Sequence, residues 1–300
     1  MIKVAFAPIY VHPLPENHRF PMEKYDLLPR QLLYEGTLSD ENFFEPEKIC
    51  LTDILAIHNQ DYWEKLSGLH LNRQEQLRSG FPHSEQLIER ELVILGGSVQ
   101  AAKYALEFGV AFNIAGGTHH AYADRAEGFC LLNDIAVTAS HLLRNNLVTK
   151  VLVVDLDVHQ GNGTAKIFEN DSNVFTFSMH GEHNYPLRKE KSDLDVGLPD
   201  GIFGEDYLKL VNRHLPELIS RVQPDFIIYQ SGVDILETDK LGRLGVSIAD
   251  CKRRDELVLT LTHENNIPIM ACMGGGYSKE IKYIVEAHAN TYRLAKEIWE

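Results

Sequence analysis

Cysteine is scarce in this chain of 300 residues: Cys50, Cys130, Cys251 and Cys272 stand far apart and no two form a C-x-x-C pair. That excludes a disulfide framework and a cysteine-built zinc knot, and it suits a reduced, intracellular setting. Basic charge is also short. Lys and Arg number 29 against 43 Asp and Glu, a net charge of −14, whereas a phosphate-backbone binder needs a Lys/Arg-dense surface. Nucleic acid is therefore not an expected partner, while cationic substrates are compatible with an acidic surface. No uncharged apolar stretch approaches the ~20 residues of a membrane span. The opening MIKVAFAPIYVHP runs straight into a strand-like segment without the apolar region of a signal peptide. A soluble, cytoplasmic protein is expected. Repeats, low-complexity tracts, Gly/Ser linkers and a G-x-S-x-G nucleophile elbow are all missing.

What is present has the balance of a globular protein: 44% hydrophobic and 24% charged residues exclude disorder and fibrous classes. Short apolar runs read as strands at Ile2–Ala7, Val110–Ile114, Val151–Asp155, Val174–Ser178, Phe226–Tyr229 and Ile267–Met273. Most are apolar throughout, as in a parallel sheet covered on both faces. Helical periodicity falls at Glu23–Glu35, Gln60–Ser67, Ser84–Phe108, Asn133–Asn145, Glu205–Val222, Asp250–Asn265 and Lys279–Trp299. This alternation predicts an α/β fold, an open and mostly parallel sheet flanked by helices, as one domain over residues 1–300. The polar, Gly- and Pro-bearing stretch His180–Gly204 reads as a long loop. Ligands of such sheets bind beyond the carboxyl ends of the strands.

Four strands end in chemistry-bearing residues. VLVVDLDVHQGNG places Asp155, Asp157 and His159 at spacings of two, which points side chains to one side of a strand. Carboxylates with an imidazole suit a divalent metal such as zinc; the other reading is a pair of helix-capping aspartates and a satisfied histidine. A second strand ends in Gly116-Gly117 and the tandem His119-His120, suited to acid–base work or merely a solvated loop pair. A third ends in SGVDILETDKLG, where Asp234 is a candidate second carboxylate ligand and Asp239 reads as a loop charge. A fourth ends in Gly274-Gly275-Gly276-Tyr277, whose tyrosine can aim a hydroxyl at an oxyanion. His180, His183 and the other scattered histidines read as surface or loop residues. Phe129, beside Gly128, and Tyr185 are candidates to line a pocket.

At these motifs the chain resembles the zinc-dependent histone deacetylase family, of arginase/deacetylase fold. The likeness runs from PENHRFPMEKY through GGTHHA, EGFCLLNDIA, VDLDVHQGNGT, SGVDILETDKLG and MGGGYS, and details such as HQGNG look most like the class IV branch and its bacterial relatives. The resemblance implies zinc ligands at Asp157, His159 and Asp234. It implies proton handling by His119 and His120, an acyl-oxygen donor in Tyr277, and Asp155 orienting His119. It also implies a channel for an acylated lysine walled by Phe129 and Tyr185, with Gly128 and Gly275 beside it. The resemblance also implies a structural monovalent cation of the K+ type at main-chain carbonyls of Asp155, Asp157, His159 and Met179 with the Ser178 hydroxyl. Where class I members carry an aspartate beside the second histidine, this chain has Asn162. An amide holds an imidazole less firmly in its protonated state, so the identity of the base stays open between the two histidines.

The implied activity is hydrolysis of the amide of N-ε-acyl-lysine in a peptide or protein, with long acyl chains as an extension. A deacetylase of acetylpolyamine or another small acyl-amine would use the same residues. A binuclear manganese ureohydrolase needs a further bridging carboxylate, and Leu236 stands where one is wanted. A silent binding module has no need of so complete a set.

Overall fold

Strand β4 (Val151–Asp155) explains why its run is apolar throughout. Leu152 and Val154 belong to a core of 64 buried residues on one side of the sheet, Val151 and Val153 to one of 17 on the other. Burying one such side chain contributes about 1.5–3 kcal/mol, so a strand with two covered faces needs no polar alternation. The computed structural model describes residues Met1–Glu300. Seven further strands join β4: β1 (Lys3–Ala5), β2 (Phe43–Phe44), β3 (Val110–Asn113), β5 (Val174–Gly181), β6 (Leu194–Leu198), β7 (Phe226–Gln230) and β8 (Ile269–Cys272). Their order is β2-β1-β3-β8-β7-β4-β5-β6, and every pairing is parallel.

Ten α-helices flank the sheet: α1 (Lys24–Tyr34), α2 (Leu51–Ile54), α3 (Gln60–Ser67), α4 (Arg73–Ser79), α5 (Glu85–Phe108), α6 (Asp134–Arg144), α7 (Asn162–Phe168), α8 (Gly204–Val222), α9 (Ile248–Glu264) and α10 (Ile281–Trp299). Local chemistry sets their ends. Ser84 caps α5 by accepting from Leu87 N, and Ser247 caps α9 by accepting from Asp250 N.

Register brings the active edge to one level. Asn113 pairs with Cys272, Cys272 with Gln230 and Gln230 with Asp155, a single row across the carboxyl ends of four adjacent strands that continues to Ser178 within β5. From β4 the chain moves to β5 on one side; from β7 it moves to β8 on the other. The neighbours β4 and β7 are thus the point where strand order reverses, the crevice in which such sheets bind ligands.

The six expected strands and seven expected helices all form, with ends shifted by a few residues. The stretch taken as one long loop differs. It contains β6, and β5 continues past Ser178 to Gly181 because β6 supplies it with a partner: Phe177 pairs with Leu194 and Gly181 with Leu198. The side chains of β6 are mostly only half-buried, so its pattern lacks the continuous apolar run of a central strand. The short β2, α2 and α4 had no periodic signal long enough to read.

Candidate active site

Two loops at the switch point carry the metal-type donors. β4 stops at Asp155, so Asp157 and His159 lie on the loop beyond it rather than along the strand as their spacing suggested. Asp234 comes from the loop after β7. The ligand atoms of Asp157, His159 and Asp234 all lie within 4.8 Å of one another, and the three residues are buried. His159 Nδ1 is 3.0 Å from Asp157 Oδ1 and 3.1 Å from Asp234 Oδ2. Main-chain amides fix the carboxylates: Val158 N donates to Asp234 Oδ1 at 3.0 Å and Gly275 N to Asp157 Oδ2 at 2.9 Å. Arg254, fully buried, clamps both loops by donating to Leu156 O at 3.2 Å and Gly232 O at 2.7 Å.

The triad has the electrostatics of a cation site. Asp234 Oδ2 is buried, with no well-formed hydrogen bond and only His159 Nδ1 beside it at 3.1 Å. Burial, with the like charge of Asp157 behind it, pushes the Asp234 carboxyl up to about 7. Burial also opposes a charged His159, yet its bond to Asp157 and the Asp234 carboxylate beside it outweigh burial and raise that imidazole to about 10. The proton so held occupies the meeting point of three donors, where a divalent ion is the natural replacement. Gly275 is required beside it, since a Cβ there would run into the Asp234 and Asp157 carboxylates. Two oxygens and one nitrogen from the protein fit a zinc-type ion with an open position.

The tandem histidines sit on the loop after β3, both buried, with ring centroids 4.1 Å apart. His119 Nδ1 meets Asp155 Oδ2 at 2.7 Å, and His120 Nδ1 meets Asn162 Oδ1 at 2.6 Å. Burial works against charge on both rings. At His119 the Asp155 and Asp157 carboxylates outweigh it and the pKa rises; at His120 burial and the neighbouring His119 and His159 drive it well below its usual value. Environments that separate two like groups in this way make one an acid and the other a base.

Tyr277 closes the constellation. Its backbone N donates to Asp239 Oδ2 at 2.6 Å, and its ring lies edge-on to His159 at 6.3 Å. Burial and the Asp234 and Asp157 charges hold the phenol proton on. The cavity reaching these groups measures about 40 Å³ and is ringed by Phe20, Phe81, Phe129 and Tyr277. Phe20 and Phe129 meet at 5.3 Å, Phe81 and Phe129 at 5.4 Å. Gly128 takes φ +54°, and a Cβ there would meet His120 Cδ2 at 2.7 Å. Tyr185, 40% exposed, stands edge-on to His120 at 5.0 Å.

Ser178 and Met179 are buried on β5 beside the Asp155 end of β4. The reading of His180 as a surface residue is corrected: β6 covers this end of β5, His180 is 3% exposed, and its Nδ1 lies 2.9 Å from Ser178 Oγ. His12, His58 and His288 are buried too, whereas His183 is at the surface. Asp239 is likewise no loop charge. It accepts from Leu241 N, Gly242 N and Tyr277 N and so seats the phenol-bearing loop. Phe20 and Phe81 were missed as walls because neither stands near a strand end; the only signal was Phe20 in HRFPM.

The class that this geometry defines is a hydrolase built on an open, parallel α/β sheet, with its site at the switch point between β4 and β7. A model of the histone deacetylase domain matches residues 18–292 of the chain. An uncharacterized protein of Picosynechococcus sp. is 41% identical over 296 residues, 99% of each chain. Histone deacetylase 2 of Arabidopsis thaliana is 30% identical over 277 residues, covering 89% of this chain and 72% of its own. The acetoin utilization protein AcuC of Staphylococcus aureus is 29% identical over 287 residues, 88% of this chain and 73% of its own. The crystal structure of the HDA15 HD domain superposes with a TM-score of 0.81 at 22% identity over 96% of this chain and 89% of that one, a likeness of fold. The chain belongs to the histone deacetylase family and is a hydrolase of the deacetylase type. The resemblance read from its motifs is borne out at the level of the family.

Proposed function

We propose that the enzyme hydrolyses N-ε-acyl-lysine with a short acyl chain, holding one zinc-type ion at Asp157, His159 and Asp234. The observation that carries this reading is the aromatic-ringed cavity of about 40 Å³ that ends on Asp157 and His159 of the donor triad, the two tandem histidines and Tyr277. Its aromatic walls suit an unbranched alkyl stem. When bound, the ion supplies Lewis-acid polarisation of the acyl carbonyl and acidifies a water. His120, held neutral, takes the proton of the attacking water at Nε2. Tyr277 donates its phenol hydrogen to the acyl oxygen as negative charge develops there. His119, kept cationic by Asp155, gives a proton to the departing amine. Phe20, Phe81 and Phe129 exclude water from the stem, and Tyr185 borders His120 at the mouth.

A monovalent cation such as K+ is part of this reading, at the carbonyls of Asp155, Asp157, His159 and Met179 with the Ser178 hydroxyl. The in-register pairing of Asp155 with Ser178 supports it by setting the end of β4 beside Ser178 and Met179 of β5. A cytoplasmic setting rests on four free cysteines, and no helix is long and apolar enough to cross a membrane. The second reading is a small acyl-amine deacetylase, favoured by the likeness to AcuC, which is named for acetoin utilization. Turnover of acetyl-lysine peptides by zinc-loaded enzyme tests the proposal; activity confined to small acyl-amines selects the second reading.

A further inference from the structure

The amide of Asn162 has two orientations of nearly equal shape, and only one of them makes His120 a base. With Oδ1 toward the ring, His120 Nδ1 must carry the hydrogen, which leaves the Nε2 lone pair free to take a proton. With the amide reversed, Nδ2 would donate to Nδ1 and the hydrogen would move to Nε2. A carboxylate, like that of Asp155 behind His119, needs no such orientation because both its oxygens accept. An asparagine in this place requires an outside group to choose for it.

The structure assigns that choice to Glu127, a positioning residue for His120 acting through Asn162; this rests on the deacetylase reading above. Asn162 Nδ2 donates to Glu127 Oε1 at 3.1 Å and to Tyr122 Oη at 2.9 Å, so both amide hydrogens are in use. Tyr122 gives its own proton to Glu190 Oε1 at 3.1 Å, so its oxygen is left to accept. Reversing the amide would set Asn162 Oδ1 against the Glu127 carboxylate, oxygen facing oxygen. That is the stronger constraint, since a phenol can rotate its hydrogen and a carboxylate has none to offer.

Glu127 is itself held in place. Its main chain exchanges two 2.9 Å hydrogen bonds with Cys130, which closes the turn around Gly128 and Phe129. Tyr185 Oη donates to Glu127 Oε1 at 2.6 Å, and Arg125 Nε stands 3.5 Å from Oε2. The Arg125 guanidinium also lies 3.5 Å over the Tyr122 ring, bracing the second acceptor. One carboxylate oxygen therefore anchors both the channel wall and the base.

The test is a double-mutant cycle between Glu127→Met and Asn162→Asp, with metal content and melting temperature measured on each variant. Met keeps the length of the stem and loses both acceptors; Glu127→Ala serves as the second truncation. A positioned base contributes about 10²–10⁴ in rate, and a base oriented only part of the time should lose roughly tenfold in kcat. With asparagine at 162, Glu127→Met is expected to show that loss. In the Asn162→Asp background the same change should leave kcat equal or higher, because a second carboxylate beside position 162 is then a like charge. Imidazole nitrogen-15 NMR of the unliganded protein should show His120 as the single Nδ1–H form in wild type and a tautomer mixture in Glu127→Met. An unchanged tautomer, or equal fractional losses of kcat in both backgrounds, overturns the role of Glu127. Wild-type enzyme inactive on every acyl-amine overturns the deacetylase reading instead, and the tautomer measurement still decides the inference.

Discussion

His119 and His120 are adjacent in sequence with ring centroids 4.1 Å apart, yet one faces a carboxylate and the other an amide. The carboxylate favours the imidazolium; the amide does not offset burial. His120→Ala is accordingly expected to lower kcat by about 10²–10⁴, the usual contribution of a positioned base, with metal content unchanged. A small effect on kcat would move the base to another group.

The triad geometry predicts about one tightly held divalent ion per chain, as in mononuclear zinc-type sites. Asp234→Ala removes the buried carboxylate that faces His159 Nδ1 at 3.1 Å, and should abolish both metal retention and turnover. Elemental analysis of wild type and variant checks this. Two retained transition metals per wild-type chain would favour the ureohydrolase alternative.

Tyr277→Phe leaves Asp157, His159 and Asp234 in place and removes one donor to the acyl oxygen. Loss of such a donor costs about 10²–10³ in kcat. Single-turnover kinetics with parallel metal analysis separates the two effects. Near-normal kcat would take Tyr277 out of the mechanism.

The contrast between the Asp157, His159 and Asp234 donors and the residues behind them shows where sequence reading runs out. Asp157, His159 and Asp234 were legible because each follows an apolar strand, and polar groups there demand a partner. Glu127 and Asp239 gave no such signal. Their roles depend on which amides a loop turns toward them: Asn162 Nδ2 for the first, Tyr277 N for the second. The sheet's centre was legible for the same reason as its ligands, since β4 and β7 are apolar on both faces. Edge strand β6 was not, because half-buried positions carry no continuous run. Phe81 joins the channel only through tertiary packing, which spacing cannot encode.

Arg293 on α10 ties down the end of α1 and gives a pH-dependent contribution to stability. It donates to Glu35 Oε1 and Oε2 at 2.9 and 2.6 Å, and to Glu286 Oε1 at 2.7 Å. Those hydrogen bonds hold both glutamates below the ordinary carboxylate range. A carboxyl with a depressed folded-state pKa stabilises above its unfolded value of about 4.3, and the contribution is lost as pH falls through the folded value. Arg293→Leu should therefore lower the melting temperature at neutral pH, and the gap from wild type should close in acid. A gap that is constant with pH would assign the effect to packing.

The last expectation concerns the substrate. Phe20, Phe81 and Phe129 surround a cavity of about 40 Å³, room for roughly three water-sized groups by the volume that one water needs. That accommodates an acetyl group at the end of a lysine stem. A long acyl chain would have to displace Tyr25 and Arg90 at the cavity's lining, and Arg90 is locked there. It is 3% exposed, with Nε on Tyr10 O at 2.8 Å and Nη1 on Glu91 Oε1 at 2.6 Å. Forcing atoms into a packed interior costs about 1–3 kcal/mol, which corresponds to about 5- to 150-fold in specificity. The comparison to make is kcat/KM for an acetyl-lysine peptide, its long-chain acyl counterpart and an acetylpolyamine at equal enzyme concentration. The acetyl peptide should lead the long-chain peptide by about tenfold and also exceed the polyamine. Equal rates on the two peptides would mean that Arg90 and Tyr25 yield to the acyl chain, and a lead for the polyamine would replace the lysine assignment with the small acyl-amine one.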